Sequence, residues 1–124
     1  MSPKEPPSLG ALEQQVMEVL WDQDPLTIRE VIERLPRSPA YTTIATVLGN
    51  LERKEMVVRK RDGRSARYLP RRSRGEHAAW VMEFALASSD DRAASMLHFI
   101  ESIPPGDLEL LRSYLDEQDQ EPQR

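Results

Sequence analysis

The segment from Ala40 to Pro70, AYTTIATVLGNLERKEMVVRKRDGRSARYLP, decides the fold. Its first half, Ala40–Met56, carries apolar residues at the spacing of one helical face: Ile44, Val47, Leu48 and Leu51. This pattern predicts an amphipathic helix. In its second half, Asp62-Gly63 is a strong two-residue turn signal, so we predict a β-hairpin that pairs Met56–Arg61 with Arg64–Leu69.

Two further helices are predicted before this segment. Apolar residues at helical spacing indicate a helix over Ala11–Asp22, with Gly10 as its N-cap. Thr27 and Glu30 have the spacing of a capping box and predict a second helix over Ile28–Leu35. Three helices followed by a hairpin is the order of a winged helix-turn-helix. The sequence therefore predicts a mainly α fold with a small β-hairpin wing, over residues 9–72.

A helical region is predicted over residues 73–118, with helices at about 74–87, 91–103 and 107–117. Ser73 and Glu76 form the capping box of the first of these helices. The apolar side chains of this helical region are more numerous than three short helices can bury among themselves, which favours a dimer interface. The candidate interface residues are Trp80, Phe84, Met96, Leu97, Phe99, Ile100, Ile103, Leu108, Leu111 and Leu115. The alternative is that they pack on the winged helix of the same chain. Residues 1–8 and 119–124 are predicted to be disordered tails.

The charge of the chain is divided unevenly. Residues 1–74 contain 14 Lys or Arg and 10 Asp or Glu, whereas residues 75–124 contain 3 and 11. A basic half joined to an acidic half favours a polyanion-binding domain beside a domain with another task. Two solvated surfaces of opposite sign are the alternative.

The predicted helix over Ala40–Met56 has a face of small and hydroxyl-bearing residues, which suits contacts with base edges in the major groove of DNA. Basic residues beyond it would meet the phosphate backbone. The candidate DNA-binding residues are Tyr41, Thr42, Thr43, Ala45, Thr46, Asn50, Arg53, Lys54, Lys60, Arg61, Arg64 and Arg67. The predicted register places Arg61 opposite Arg64, a repulsion that a polyanion would relieve. The alternative is that the hairpin tip frays and both side chains lie in water. The competing interpretation is a winged helix that docks an acidic protein partner.

Other classes of site have little support. The chain contains no cysteine, and its two histidines, His77 and His98, lie far apart in the sequence, so neither a metal site nor a cofactor is expected. No set of nucleophile, base and orienting residue indicates an enzyme. No apolar run is long enough to span a membrane, and the protein is expected in the cytoplasm.

The motifs LGALEQQVMEVLW, TIREVIERL, AYTTIATVLGNLERKEMV, GRSARYLP, ASMLHFIE and DLELLRSYL resemble those of the BlaI/MecI family of penicillinase repressors, in its actinobacterial form. The resemblance covers about residues 9–115. It implies a homodimeric winged-helix repressor of β-lactam-resistance or related stress genes, with Thr42, Thr43 and Thr46 at positions that contact DNA. The staphylococcal members have basic residues where this chain has Thr42 and Ala45, so their operator sequence does not carry over.

The same resemblance implies a mode of control. Family members are inactivated when a membrane sensor triggers a metalloprotease to cut the helical half, and the matching bond here is His98–Phe99. The family's site reads LNF, whereas this chain reads LHF. The alternative is that Phe99 is only an interface residue. A copper-responsive branch ends in a paired-cysteine tail, which this chain lacks, so copper sensing is not expected.

Overall fold

The structure is a computed structural model that describes residues 4–120. Its elements, in chain order, are α1 (Ala11–Asp22), α2 (Ile28–Glu33), α3 (Tyr41–Arg53), β1 (Val57–Asp62), β2 (Ser65–Pro70), α4 (Arg74–Ala87), α5 (Arg92–Ser102) and α6 (Pro105–Gln120). Three helices precede an antiparallel hairpin and three follow it. The predicted winged helix-turn-helix with a helical region after it is confirmed.

The helix bounds agree with the predictions where the signals are local. The bounds of α1 and α4 are those predicted. Both predicted capping boxes are present. The Thr27 N–H donates to Glu30 at 2.9 Å, and the Ser73 N–H donates to Glu76 at 2.8 Å. By contrast, α2 and α3 end two or three residues early, at Glu33 and Arg53.

The core lies entirely in the winged helix. It is apolar and draws on every element from α1 to β2, with these buried residues: Val16, Met17, Leu20, Leu26, Val31, Leu35, Ile44, Val47, Leu48, Leu51, Met56, Val57 and Tyr68. Leu26 pairs with Tyr68 in an isolated antiparallel bridge, with N···O distances of 3.0 and 2.8 Å. This bridge ties the loop before α2 to the hairpin and so fixes the wing beside the helices.

The hairpin register differs from the prediction. Asp62 pairs with Ser65 and Arg61 with Ala66, so the turn is Gly63-Arg64 and not Asp62-Gly63. Gly63 has φ 64°, and glycine at the first central position is the type II′ pattern. The predicted repulsion between Arg61 and Arg64 across the strands is therefore wrong, because Arg64 lies in the turn.

The described chain divides into two compact units, residues 4–82 and residues 83–120. The first unit holds the winged helix and the first part of α4, beyond the boundary at residues 72 and 73 that the sequence suggested. The second unit holds the end of α4 with α5 and α6, and α5 and α6 contain no buried residue.

The two predicted tails are only partly described. Residues 4–8 form no helix or strand, but the Lys4 carbonyl accepts the Trp80 indole N–H at 2.6 Å, and the Ser8 carbonyl accepts the Lys54 ammonium at 2.8 Å. Residues 119 and 120 belong to α6. The rest of both predicted tails, residues 1–3 and 121–124, lies outside the described residues.

Glu55 ends α3 in a left-handed conformation, with φ 59°. The Met56 and Glu55 N–H groups donate to the Leu51 and Glu52 carbonyls, which is the Schellman pattern. We expect Glu55→Gly to raise the free energy of unfolding by about 0.5–1 kcal/mol, since glycine removes the left-handed penalty but gains entropy when unfolded. Glu55→Ala, which keeps the Cβ, is the control in thermal unfolding. Equal melting temperatures for the two variants would contradict the expectation.

Candidate nucleic-acid interface

Helix α3 presents two chemically different faces. Ile44, Val47, Leu48 and Leu51 are buried in the core. The side chains of Thr42, Thr43 and Thr46 are exposed, and Ala45 is half-buried between them. Because threonine is a poor helix former, three of them in two turns do not serve helix stability. The exposed face offers hydroxyl and methyl groups without charge, a set suited to base edges.

The N-terminus of α3 is open. Its N-cap, Ala40, has no side chain that could accept a hydrogen bond from the first turn. Tyr41 follows with its ring half-exposed, and the guanidinium of Arg29 on α2 lies 5.8 Å from the ring centre. The N-cap residue therefore gives the first-turn amides no side-chain acceptor, and amides at a helix N-terminus favour phosphate oxygens.

The wing carries cations that form no ion pair within residues 4–120. These are Lys60 and Arg61 on β1 and Arg64 in the turn, all of them exposed. Arg59 is weakly paired, with its Nε 3.9 Å from Glu52 Oε2. Lys60, Arg61 and Arg64 can therefore bind a polyanion without first breaking an ion pair.

Two of the predicted DNA-binding cations are engaged inside the chain. The Lys54 ammonium lies 2.9 Å from both Glu13 carboxylate oxygens. Burial of the Glu13 carboxyl opposes its ionisation, but the Gly10 N–H and Lys54 outweigh this effect and hold the pKa of Glu13 below its usual value. Lys54 therefore joins the end of α3 to the start of α1, and a phosphate would have to compete with Glu13 for it.

Arg67 has a similar position on the wing. Its guanidinium lies 3.1 Å from Glu30 on α2 and 3.4 Å from Asp62 on β1. The Thr27 N–H, and after it Arg67, lower the pKa of Glu30. Arg67 is also the cross-strand partner of Lys60, so the two carboxylates relieve a like-charge contact. The contacts of Arg67 therefore join the wing to α2 and stabilise the hairpin.

Asn50 and Arg53 lie at the C-terminal end of the exposed face. The Arg53 guanidinium donates to the Asn50 side-chain oxygen, and Asn50 is half-buried while Arg53 is exposed.

Arg29 was not among the predicted DNA-binding residues, although the sequence indicates that its side chain faces away from the core. Ile28, Val31 and Ile32 turn inward on α2, so the helical period places Arg29 outward.

The predicted interface residues separate into two groups. Trp80 is half-buried against the winged-helix core, with Arg72 stacked 4.3 Å from its ring centre. For Trp80, these contacts agree with the alternative stated above, in which the candidate interface residues pack on the winged helix of the same chain. In residues 83–120, Phe84, Ile103 and Leu108 are half-buried. The others are exposed large hydrophobics: Met96, Leu97, Phe99, Ile100, Leu111 and Leu115.

The histidines and acidic residues form no metal centre in the part of the chain that the structure describes. His77 packs 5.4 Å from the Trp21 ring and 6.0 Å from the Trp80 ring, and burial lowers its pKa. Both tryptophans therefore pack at the junction of α1 and α4. Within residues 4–120, no helix is long and apolar enough to cross a membrane.

The family model described as "Penicillinase repressor" matches residues 9–117. The chain belongs to the penicillinase repressor family. It is 42% identical over 115 residues to "Transcriptional regulator BlaI" from two strains of Mycobacterium tuberculosis, a match that spans 88% of this chain and 83% of the relative. Like other penicillinase repressors it is a transcriptional regulator and not an enzyme. Regulators of this family bind DNA.

Solved structures of other regulators are similar at low identity. One is MepR, a transcription regulator of the Staphylococcus aureus multidrug efflux pump MepA, with TM-score 0.48, 18% identity, and coverage of 90% of this chain and 78% of MepR. Another is Lactococcus lactis ZitR in complex with DNA, with TM-score 0.48, 12% identity, and coverage of 97% and 80%.

Proposed function

We propose that the protein is a homodimeric repressor that reads an operator with the exposed face of α3 in the major groove. The observation that carries the proposal is the uncharged Thr42, Thr43 and Thr46 face next to the unpaired wing cations. In this arrangement α3 supplies selectivity, and Lys60, Arg61 and Arg64 supply phosphate contacts and affinity. Such a repressor acts in the cytoplasm, where bacterial DNA lies.

The second unit supports the homodimer. Six of the large apolar side chains on α5 and α6 that the sequence assigned to an interface are exposed in the single chain. Exposed apolar surface of this extent marks a contact with a partner. A second copy provides the matching surface through a two-fold axis, and two winged helices then read two half-sites.

Family membership supports β-lactam-resistance or related stress genes as targets, with relief of repression by proteolysis. The bond proposed for cleavage, His98–Phe99, lies inside α5, and both side chains are exposed. A protease binds extended backbone, so α5 must unwind locally before the cut. Mass spectrometry after induction should find fragments 1–98 and 99–124, and an intact chain in induced cells would contradict this route.

The test of DNA recognition is a mobility-shift titration with the DNA upstream of the gene and with random DNA, at several salt concentrations. We expect tighter binding to the upstream DNA and a strong salt dependence. Lys60→Ala with Arg61→Ala should weaken binding to both DNAs and reduce the log–log salt slope by about 1.8 per subunit, or about 0.9 for each lost phosphate contact.

The matched control removes two cations from the second unit, with Arg92→Ala and Arg112→Ala. This variant changes the net charge equally but should leave the slope near that of the wild type. Binding without sequence preference, or equal slopes for the two double variants, would favour a winged helix that docks an acidic protein partner.

A further inference from the structure

A groove lies between α2, the start of α3 and the wing turn. It has a volume of about 250 Å³ and is lined by residues 27–29, Tyr41 and residues 64–66. Three separate elements thus converge on one concavity at the edge of the exposed α3 face. Its volume is several times that of a water molecule, so a tetrahedral anion can enter.

Two cations from different elements line this groove. Arg29 comes from α2 and Arg64 from the turn between the strands, and neither forms an ion pair within residues 4–120. The nearby carboxylates do not neutralise them. Glu30 is occupied by Arg67 and by Thr27, while Glu33 lines the next groove beside Arg29 without reaching ion-pair distance. The groove therefore has an unsatisfied positive charge.

Arg29 also contacts the aromatic ring at the start of α3. Its guanidinium carbon lies 5.8 Å from the centre of the Tyr41 ring, within the range of a cation–π contact. Tyr41 is the first residue of α3. This contact joins Arg29 to the helix that carries the Thr42, Thr43 and Thr46 face.

We propose that Arg29 and Arg64 together bind one phosphate of the DNA backbone. This inference rests on the proposed function, because a duplex with α3 in its major groove runs its backbone past both the start of α3 and the wing turn. Planar guanidinium groups suit the two free oxygens of a phosphodiester. Arg29 is then a positioning contact that sets how the duplex lies across the protein, and it carries no base preference.

The test uses the full chain and a fixed duplex over a range of salt concentrations. Arg29→Gln should weaken binding to operator and random DNA alike, by about 10-fold, but reduce the log–log slope by less than about 0.9 per subunit, because Arg64 still neutralises the shared phosphate. Arg29→Lys keeps the charge and should keep most of the affinity. The matched control is Arg34→Gln, because Arg34 follows the same helix but is tied to Gln23 at 3.2 Å and to the Glu30 carbonyl at 2.9 Å. An affinity for Arg29→Gln equal to that of Arg34→Gln would overturn the inference.

The double variant tests whether the phosphate is shared. If Arg29 and Arg64 bind the same phosphate, Arg29→Gln with Arg64→Gln removes both of its cations and reduces the slope by about 0.9 per subunit in total. A loss of about 1.8 per subunit would mean two separate phosphates and would overturn the shared site. Arg64 lies in the exposed turn, so Arg64→Gln carries the test even if Arg29→Gln does not fold.

Two further outcomes separate this inference from the proposed function. A wild-type protein that binds no DNA would overturn both, whereas wild-type binding with an unchanged slope in the double variant would overturn the inference alone. Titration with inorganic phosphate at constant ionic strength distinguishes a free anion from the backbone. Tight binding of free phosphate that leaves DNA affinity unchanged would assign the groove to the free anion and overturn the DNA assignment.

Discussion

Replacing Phe99 with aspartate is expected to separate the proposed dimer and to lower operator affinity by at least about 100-fold. Phe99 lies on α5 with half of its side chain exposed in the single chain, which leaves it available to a partner. If a two-fold interface covers it, Phe99→Asp buries an unpaired carboxylate in each subunit, which is costly. A monomer then contacts one half-site and loses the contacts of the second.

Sedimentation and operator binding of the same preparation measure this effect. The matched control is Ala93→Asp, which adds a carboxylate to an exposed position of α5 about 120° around the helix. A Phe99→Asp protein that stays dimeric and binds its operator normally would place Phe99 outside the interface. It would also remove the physical basis for control by cutting His98–Phe99, since that cut acts by breaking α5.

The features that the sequence predicted well depend on neighbours in the chain. The capping boxes at Thr27 and Ser73 join residues three positions apart, so both partners can be recognised in a short stretch of sequence. The apolar face of α3 follows from helical periodicity in the same way. The order of three helices and a hairpin required only such local signals, and it was sufficient to give the winged-helix fold.

The sequence predicted less about the site because ion pairs are made between distant elements. Lys54 meets Glu13, 41 positions away, and Arg67 meets Glu30, 37 positions away. Neither separation leaves a pattern that distinguishes a structural cation from one available to DNA. The division between Lys54 and Arg67 on one side and Lys60, Arg61 and Arg64 on the other therefore required the packed structure.

The position of the hairpin turn is a second feature that the sequence did not predict correctly. Asp-Gly is a common turn pair, and the sequence placed it at the two central positions. The structure shifts the turn by one residue, to Gly63-Arg64, so that Val57 pairs with Pro70 and Arg59 with Tyr68. Glycine is favoured at the first central position of a type II′ turn as well as at the second position of an Asp-Gly turn, so the sequence fits both registers. The observed register places Arg64 in the turn, where it lines the groove with Arg29.

Thr46→Ala is expected to lower operator affinity by about 1–3 kcal/mol per half-site while it leaves affinity for random DNA nearly unchanged. Thr46 is exposed midway along α3, and the change removes one hydroxyl and one methyl but no charge. Alanine is the better helix former, so the variant should be at least as stable as the wild type. A loss of affinity therefore cannot be attributed to unfolding.

Titrations against operator and random DNA at several salt concentrations measure this specificity. Thr46→Ser keeps the hydroxyl and removes the methyl, so it shows whether a base hydrogen bond or a thymine contact carries the preference. The log–log salt slope should match that of the wild type in both variants, since neither removes a phosphate-neutralising charge. If Thr46→Ala instead weakens both DNAs equally, the hydroxyl positions the backbone, and base readout must lie with Thr42, Thr43 and Ala45.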